Sequence, residues 1–206
     1  MTDQGQTAII DDVEAGVRAF IVRTAADYAR LAGAEPISLE RRRAIAEDVR
    51  RPWTAGGPVM ASTSEVRIGS AGLRLRIHRP VDAPNLPILA YCHGGGWTIF
   101  SLETHDRLMR EYAARSGCAV VGIDYSLSPK VRYPHALEEV VEAVTWLAAE
   151  GSALDLDPAR IALGGDSAGG NLALAAALAL RSRGRDVLSG LVINYGALDD
   201  AERPSY

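Results

Sequence analysis

The chain is short of several things that would each announce a function. It has two cysteines in 206 residues, Cys92 and Cys118. Each sits in an apolar, strand-like run, which points to buried free thiols in a reducing cytoplasm rather than to a disulfide scaffold. No C-x-x-C pair and no metal-spaced histidine cluster occurs, so neither a metal ion nor any other cofactor is expected. There is no excess of basic charge: the net charge is -4 and the pI is near 5.6. That balance argues against nucleic acid or an anionic membrane as partner. The first residues, Met1 to Gln6, lack a basic stretch followed by an apolar one, so no signal peptide is expected. The longest apolar run, Leu172 to Leu180, is too short to span a bilayer. Internal repeats are also missing. Histidine is scarce, with residues 78, 93, 105 and 135 and none after them.

What remains is an ordinary globular composition, 48% hydrophobic and 23% charged, and a length suited to one sizeable core. Apolar positions at helical spacing predict a helix over residues 8–32, stopped by Gly33. Ser38 is the expected cap of a second helix reaching Val49 and ended by Pro52, and Ala55-Gly56-Gly57-Pro58 reads as a linker. Residues 1–55 are thus set apart from a main unit at 56–206. Val66–Ile68 and Leu73–His78 form an expected hairpin, with Leu73, Leu75 and Ile77 alternating against Arg74, Arg76 and His78. The alternation predicts one wet face and an exposed His78. Continuous apolar runs at 88–92 and 118–123 read as buried parallel strands. Between them lies an expected helix from Thr104 to Ser116, with Leu108, Met109, Tyr112 and Ala113 inward. A further helix is expected at 136–149, a strand at 161–164, a helix to Leu180 and a strand at 188–194. Strands alternating with helices define an α/β class with a mostly parallel sheet covered on both faces.

Two stretches carry chemistry. Ile161 to Gly164 meets Gly165-Asp166-Ser167-Ala168-Gly169, and an Ala/Leu helix begins at once. This strand–turn–helix setting is that of a nucleophile elbow, whose sharp turn requires small residues around an exposed serine. Earlier, the run 88–92 ends in His93-Gly94-Gly95-Gly96-Trp97. Consecutive glycines leave backbone N–H groups uncovered and able to face an oxygen that gains negative charge during acyl transfer.

These stretches, with Leu102-Glu103-Thr104-His105-Asp106-Arg107, Asp124-Tyr125-Ser126-Leu127-Ser128-Pro129 and Tyr133-Pro134, resemble the hormone-sensitive-lipase-like branch of the α/β-hydrolases. Within it the chain is most similar to bacterial acetyl-esterase-type carboxylesterases. The resemblance implies an α/β-hydrolase fold, Ser167 as nucleophile, and an oxyanion hole drawn from Gly94, Gly95, Gly96 and Ala168. It implies hydrolysis of short-chain acyl esters through an acyl-enzyme. The N-terminal helices are read either as part of a cap over the site or as plain packing helices. Asp124 fits a catalytic acid by its place at a strand end, while the resemblance gives it an architectural role. Ser126 and Lys130 depart from the family's commoner Arg and Glu, which removes the usual grounds for a salt-bridge network there. His135 is expected to cap or pack at a helix start.

The triad in this fold runs Ser, then Asp or Glu, then His. All four histidines precede Ser167. The general base and its acid are therefore expected beyond Tyr206, and the 206-residue chain alone is expected to be inactive. A ligand-binding relative without turnover, or an amidase on the same scaffold, stays open. An uncovered sheet edge is expected to associate with a second copy or with a separate C-terminal segment.

Overall fold

The structure is a computed structural model that describes residues 14–199. The start of the first expected helix, including Val13, and Asp200 lie outside the described residues. Helix α1 (Ala15–Ala32) is opened by the Glu14 carboxylate accepting from the Val17 N–H and closed by Gly33 at φ 70°. Helix α2 (Leu39–Thr54) starts as expected at Ser38, whose hydroxyl accepts from the Arg41 N–H. It runs past the expected stop, with Pro52 inside its last turn. Pro52 has no N–H to give to the Asp48 carbonyl, and the helix continues only two residues beyond it.

Six strands follow: β1 (Ser62–Ile68), β2 (Leu73–Arg79), β3 (Leu86–Cys92), β4 (Ala119–Ile123), β5 (Leu156–Asp166) and β6 (Gly190–Asn194). Helices α3 (Leu102–Ser116), α4 (His135–Glu150) and α5 (Ala168–Ser182) connect them. The sheet order is β1-β2-β4-β3-β5-β6. β1 and β2 pair antiparallel, as do β2 and β4; β4, β3, β5 and β6 run parallel. This is an α/β-hydrolase fold. The parallel strands place their carboxyl ends, where open α/β sheets bind ligands, along one rim.

Strand periodicity divides the core in two. Ile88, Ala90 and Cys92 of β3, with Ala119, Val121 and Ile123 of β4, face the larger cluster shared with α4 and α5. Leu89, Tyr91 and Val120 point the other way, onto Leu102, Met109 and Ala113 of α3.

Four expectations need correction. His78 is fully buried, because the second face of β2 is covered by α3 rather than by water. Its Nδ1 lies 3.0 Å from Thr63 Oγ1 and its Nε2 3.5 Å from Asp106. The neighbouring arginines form an ionic layer there: Arg74 reaches Asp124 at 2.9 Å, and Arg76 reaches Glu65 and Glu103 at 2.7 Å each. Cys118 precedes β4 and is half-exposed, while Cys92 is buried. Leu108 is 37% exposed, on the outer side of α3. Finally, α3 begins at Leu102, because Ser101 caps it by accepting from the Glu103 and Thr104 N–H groups.

Candidate active site

β5 ends at Asp166 and α5 begins at Ala168, so the whole reversal falls on Ser167. Ser167 has φ 52° and ψ -117°, a left-handed φ that a side chain adopts only when its surroundings hold it. Its N–H donates to Asn194 O at 3.0 Å, and its carbonyl accepts from Asn171 and Ala197 at 3.1 Å each. The flanking glycines are needed for space. A Cβ on Gly165 or on Gly169 would strike Cys92 O at the end of β3, and one on Gly169 would also meet His93 O. The elbow is therefore pressed against the strand that leads into the glycine loop. Ser167 is half-exposed, and its hydroxyl has no hydrogen-bond partner among the described residues.

Asp166, beside the nucleophile, turns inward and anchors that loop. Its Oδ1 accepts from the Tyr91 hydroxyl at 2.9 Å and from the Gly94 N–H at 3.0 Å, and its Oδ2 lies 3.4 Å from His105 Nε2. Burial works against the charge, yet the bonds from His105, Tyr91 and Gly94 hold the carboxyl below its ordinary range. The Gly94 N–H is thus engaged by Asp166, and Gly94 serves as the loop's anchor rather than as a free donor. The N–H groups of Gly95, Gly96 and Ala168 have no acceptor among the described residues. Gly95 and Gly96 stand at φ 117° and 57°.

His93 lies under the loop, its ring stacked on Tyr125 at 4.5 Å and its Nδ1 donating to Gly94 O at 2.6 Å. The Tyr125 hydroxyl donates in turn to His93 O at 2.7 Å. Burial, with the nearby His105, pushes the His93 imidazole down to about 4, so it is neutral at pH 7. A cavity of about 420 Å³ borders the loop at Gly96 and Trp97 and reaches Leu137, Asn171 and Leu172.

None of the four histidines is bonded to Ser167. His78 lies in the layer under α3, His105 is held between Thr104 and Asp166, and His135 sits 3.3 Å from Glu139 at the start of α4. Asp124 accepts from Arg74 Nε at 2.9 Å, an architectural contact. Where Ser126 departs from the family pattern, its N–H and hydroxyl donate to Glu139 at 2.6 and 2.7 Å. Sequence reasoning missed Asp166, Tyr91 and Glu139. Only Asp166 left a signal, as a carboxylate inside an otherwise small-residue turn. No group of His, Cys, Asp and Glu among the described residues could hold a metal.

A left-handed serine between a strand and a helix, beside a glycine loop with unpaired N–H groups, is the arrangement of a nucleophile elbow. Residues 89–206 match the family model described as alpha/beta hydrolase fold, and the chain belongs to that family. Among solved structures it is similar to a hyperthermophilic esterase from the archaeon Pyrobaculum calidifontis, at 35% identity and TM-score 0.77, over 82% of this chain and 56% of that one. A thermophilic carboxylesterase cloned from a metagenomic library matches at 35% identity and TM-score 0.77, over 82% and 58%. An ester-hydrolase from the metagenome of Lake Arreo matches at 29% identity and TM-score 0.81, over 90% and 61%. The chain thus spans between 56% and 61% of the lengths of these structures.

Proposed function

We propose that the full-length protein is a serine carboxylesterase acting on short-chain acyl esters through an acyl-enzyme. Ser167 Oγ attacks the acyl carbon while its proton passes to a histidine base that follows Tyr206, oriented by an acidic residue from the same region. The carbonyl oxygen becomes an oxyanion held by the N–H groups of Gly95, Gly96 and Ala168. The tetrahedral species expels the alcohol, which takes the proton from the base. Water then attacks the acyl-enzyme by the same route, releasing the carboxylic acid and restoring the serine.

The observation that carries this reading is the left-handed Ser167 in an elbow packed against the strand end that leads into the glycine loop, with the N–H groups of Gly95, Gly96 and Ala168 unpaired among the described residues. The esterases named above support it as relatives. Short acyl groups are proposed from the sequence's resemblance to acetyl-esterase-type carboxylesterases, and a cavity of about 420 Å³ opens beside Gly96. Helices α1 and α2 are proposed to roof the site, and the buried thiol of Cys92 suits a reducing compartment.

A second reading, a ligand-binding relative without turnover, draws on one observation: every histidine present is engaged away from Ser167. A series of aryl esters from acetyl to palmitoyl, assayed on the full-length protein and on its Ser167→Ala variant, separates the two. The esterase reading expects rates that peak between acetyl and butyryl and fall to background in the variant. Binding of the esters without turnover would support the second reading.

A further inference from the structure

The glycine loop and the residues after it are held in an unusual backbone state. Gly95, Gly96, Trp97 and Phe100 stand at φ 117°, 57°, 59° and 71°, and two of these four carry large side chains. Internal bonds are few. The N–H groups of Thr98 and Ile99 both donate to Gly95 O at 3.0 Å, and the Thr98 hydroxyl adds a weak third contact. Left-handed non-glycine residues such as Trp97 and Phe100 persist only where neighbours over-determine them, so contacts outside the loop must hold them.

One helix face makes those contacts. Arg43, Glu47 and Arg50 follow helical spacing on α2 and so share a side. The Arg43 guanidinium donates through Nε to Thr98 O and through Nη2 to Ser128 O, both at 2.8 Å. Ser128 N–H in turn donates to Trp97 O at 2.8 Å. The three bonds close a ring joining α2, the glycine loop and the segment after β4. Glu47 accepts from the Ser101 hydroxyl at 3.1 Å, one residue past Phe100. The Arg50 guanidinium lies 4.8 Å from the Phe100 ring and 5.1 Å from Phe20 of α1, between the two aromatics. Every turn of this face grips one end of the strained segment, and only Arg43 reaches both loops at once. Arginine suits the task because its planar fork presents parallel donors to two carbonyls, where lysine offers a single mobile ammonium.

We propose that this face of α2 holds the glycine loop in its left-handed form, with Arg43 as the positioning residue that keeps the Gly95 and Gly96 donors aimed at the substrate oxygen. The proposal rests on the esterase reading for its kinetic consequence, though not for its structural one. Arg43 touches no reacting atom; it acts through Thr98 and Ser128.

The test uses the full-length protein with Arg43→Ala, Arg43→Lys and, as a control on the exposed side of α2, Arg42→Ala. Two readouts are taken: steady-state kinetics on an acetyl aryl ester, and hydrogen exchange at Thr98, Ile99 and Ser128. Loss of a whole oxyanion donor lowers rate by about 100–1,000-fold, so a loosened loop is expected to lower kcat by at least about tenfold in Arg43→Ala with KM little changed. Exchange at the three reporter amides should rise selectively, Arg43→Lys should recover only part of either effect, and Arg42→Ala should match wild type. An Arg43→Ala protein with kcat within about twofold of wild type and protected reporter amides overturns the proposal. So does a uniform rise of exchange across the sheet, which would make Arg43 a general stabiliser. If the wild-type protein shows no turnover, the esterase reading fails, and the exchange data alone decide whether Arg43 holds the loop.

Discussion

Removing the Asp166 carboxylate should cost the fold more than its position beside a reactive serine suggests. Asp166 is 7% exposed and accepts from Tyr91, which is fully buried, and from the Gly94 N–H, with His105 alongside at 7%. In Asp166→Ala the Tyr91 hydroxyl and the Gly94 N–H lose the acceptor they share in the interior. An unsatisfied buried donor costs about 1–3 kcal/mol, and two donors, the Tyr91 hydroxyl and the Gly94 N–H, lose their acceptor here. The terms overlap because the groups share one acceptor, so about 2–5 kcal/mol is expected for the whole change. In a chain of this size each kcal/mol moves Tm by about 2–4 °C, giving a fall on the order of 10 °C. Asp166→Asn is the informative companion. Both Tyr91 and Gly94 donate to the same oxygen, Oδ1, which an amide retains, and its NH2 would face His105 Nε2 as a donor. Asparagine should therefore stay within about 1.5 kcal/mol of wild type. Urea unfolding followed by circular dichroism measures both. Alanine and asparagine variants of equal stability would refute the reasoning, since the carboxylate would then not be the shared acceptor that holds the loop.

Stability should also decline on the acid side of neutrality. His93 and His78 are both pushed down to about 4, His78 by burial with Arg76 and Arg110 nearby and against the pull of Asp106. The unfolded chain then binds protons that the folded chain refuses, so the folded state loses ground as pH falls from the ordinary histidine value, about 6.5, toward 4. Two such groups give at most about 2.7 kcal/mol per pH unit, and replacing His78 with asparagine should reduce the slope read from urea midpoints between pH 7.5 and 5. The depressed Asp166 carboxyl acts in a separate window: its contribution is complete above the ordinary aspartate value, about 3.9, and is lost as pH falls through its lower folded value. Gly95→Ala should lower kcat of the full-length enzyme by about 100-fold or more, because its Cβ would strike Ile99 O at a φ that alanine rarely adopts. A Gly95→Ala enzyme with normal turnover would remove that N–H from the oxyanion hole.

The parts of this molecule legible from sequence are those written locally. The elbow declares itself because Gly165 and Gly169 are forced by contacts within a few residues and by the end of one neighbouring strand. β3 and β4 are legible because strands covered on both faces are apolar throughout. His78 misleads for the opposite reason. Its alternation with Ile77 is real, but what covers that face is α3, whose Asp106 and Glu103 are brought there by the fold and not by proximity in the chain. Pro52 reads as a stop, yet its place in a last turn decides otherwise. Arg43 is illegible altogether, since its partners Thr98 and Ser128 lie 55 and 85 residues away. Asp166 sits inside the most readable motif of the chain, but its inward turn depends on Tyr91 and His105, which no spacing links to it.

The central claim is that Ser167 is an activated nucleophile once the chain following Tyr206 supplies its base. An unassisted serine hydroxyl is far too weak to attack at neutral pH, so covalent trapping reads activation directly. The decisive measurement titrates the full-length protein, the 206-residue chain and full-length Ser167→Ala with an organophosphate, and maps the label by peptide mass. One equivalent on Ser167 in the full-length protein, with little in the other two, is the expected result. Stoichiometric labelling of Ser167 in the 206-residue chain would mean that its base is already present within these residues, and a full-length Ser167 that resists the reagent would contradict the catalytic reading itself.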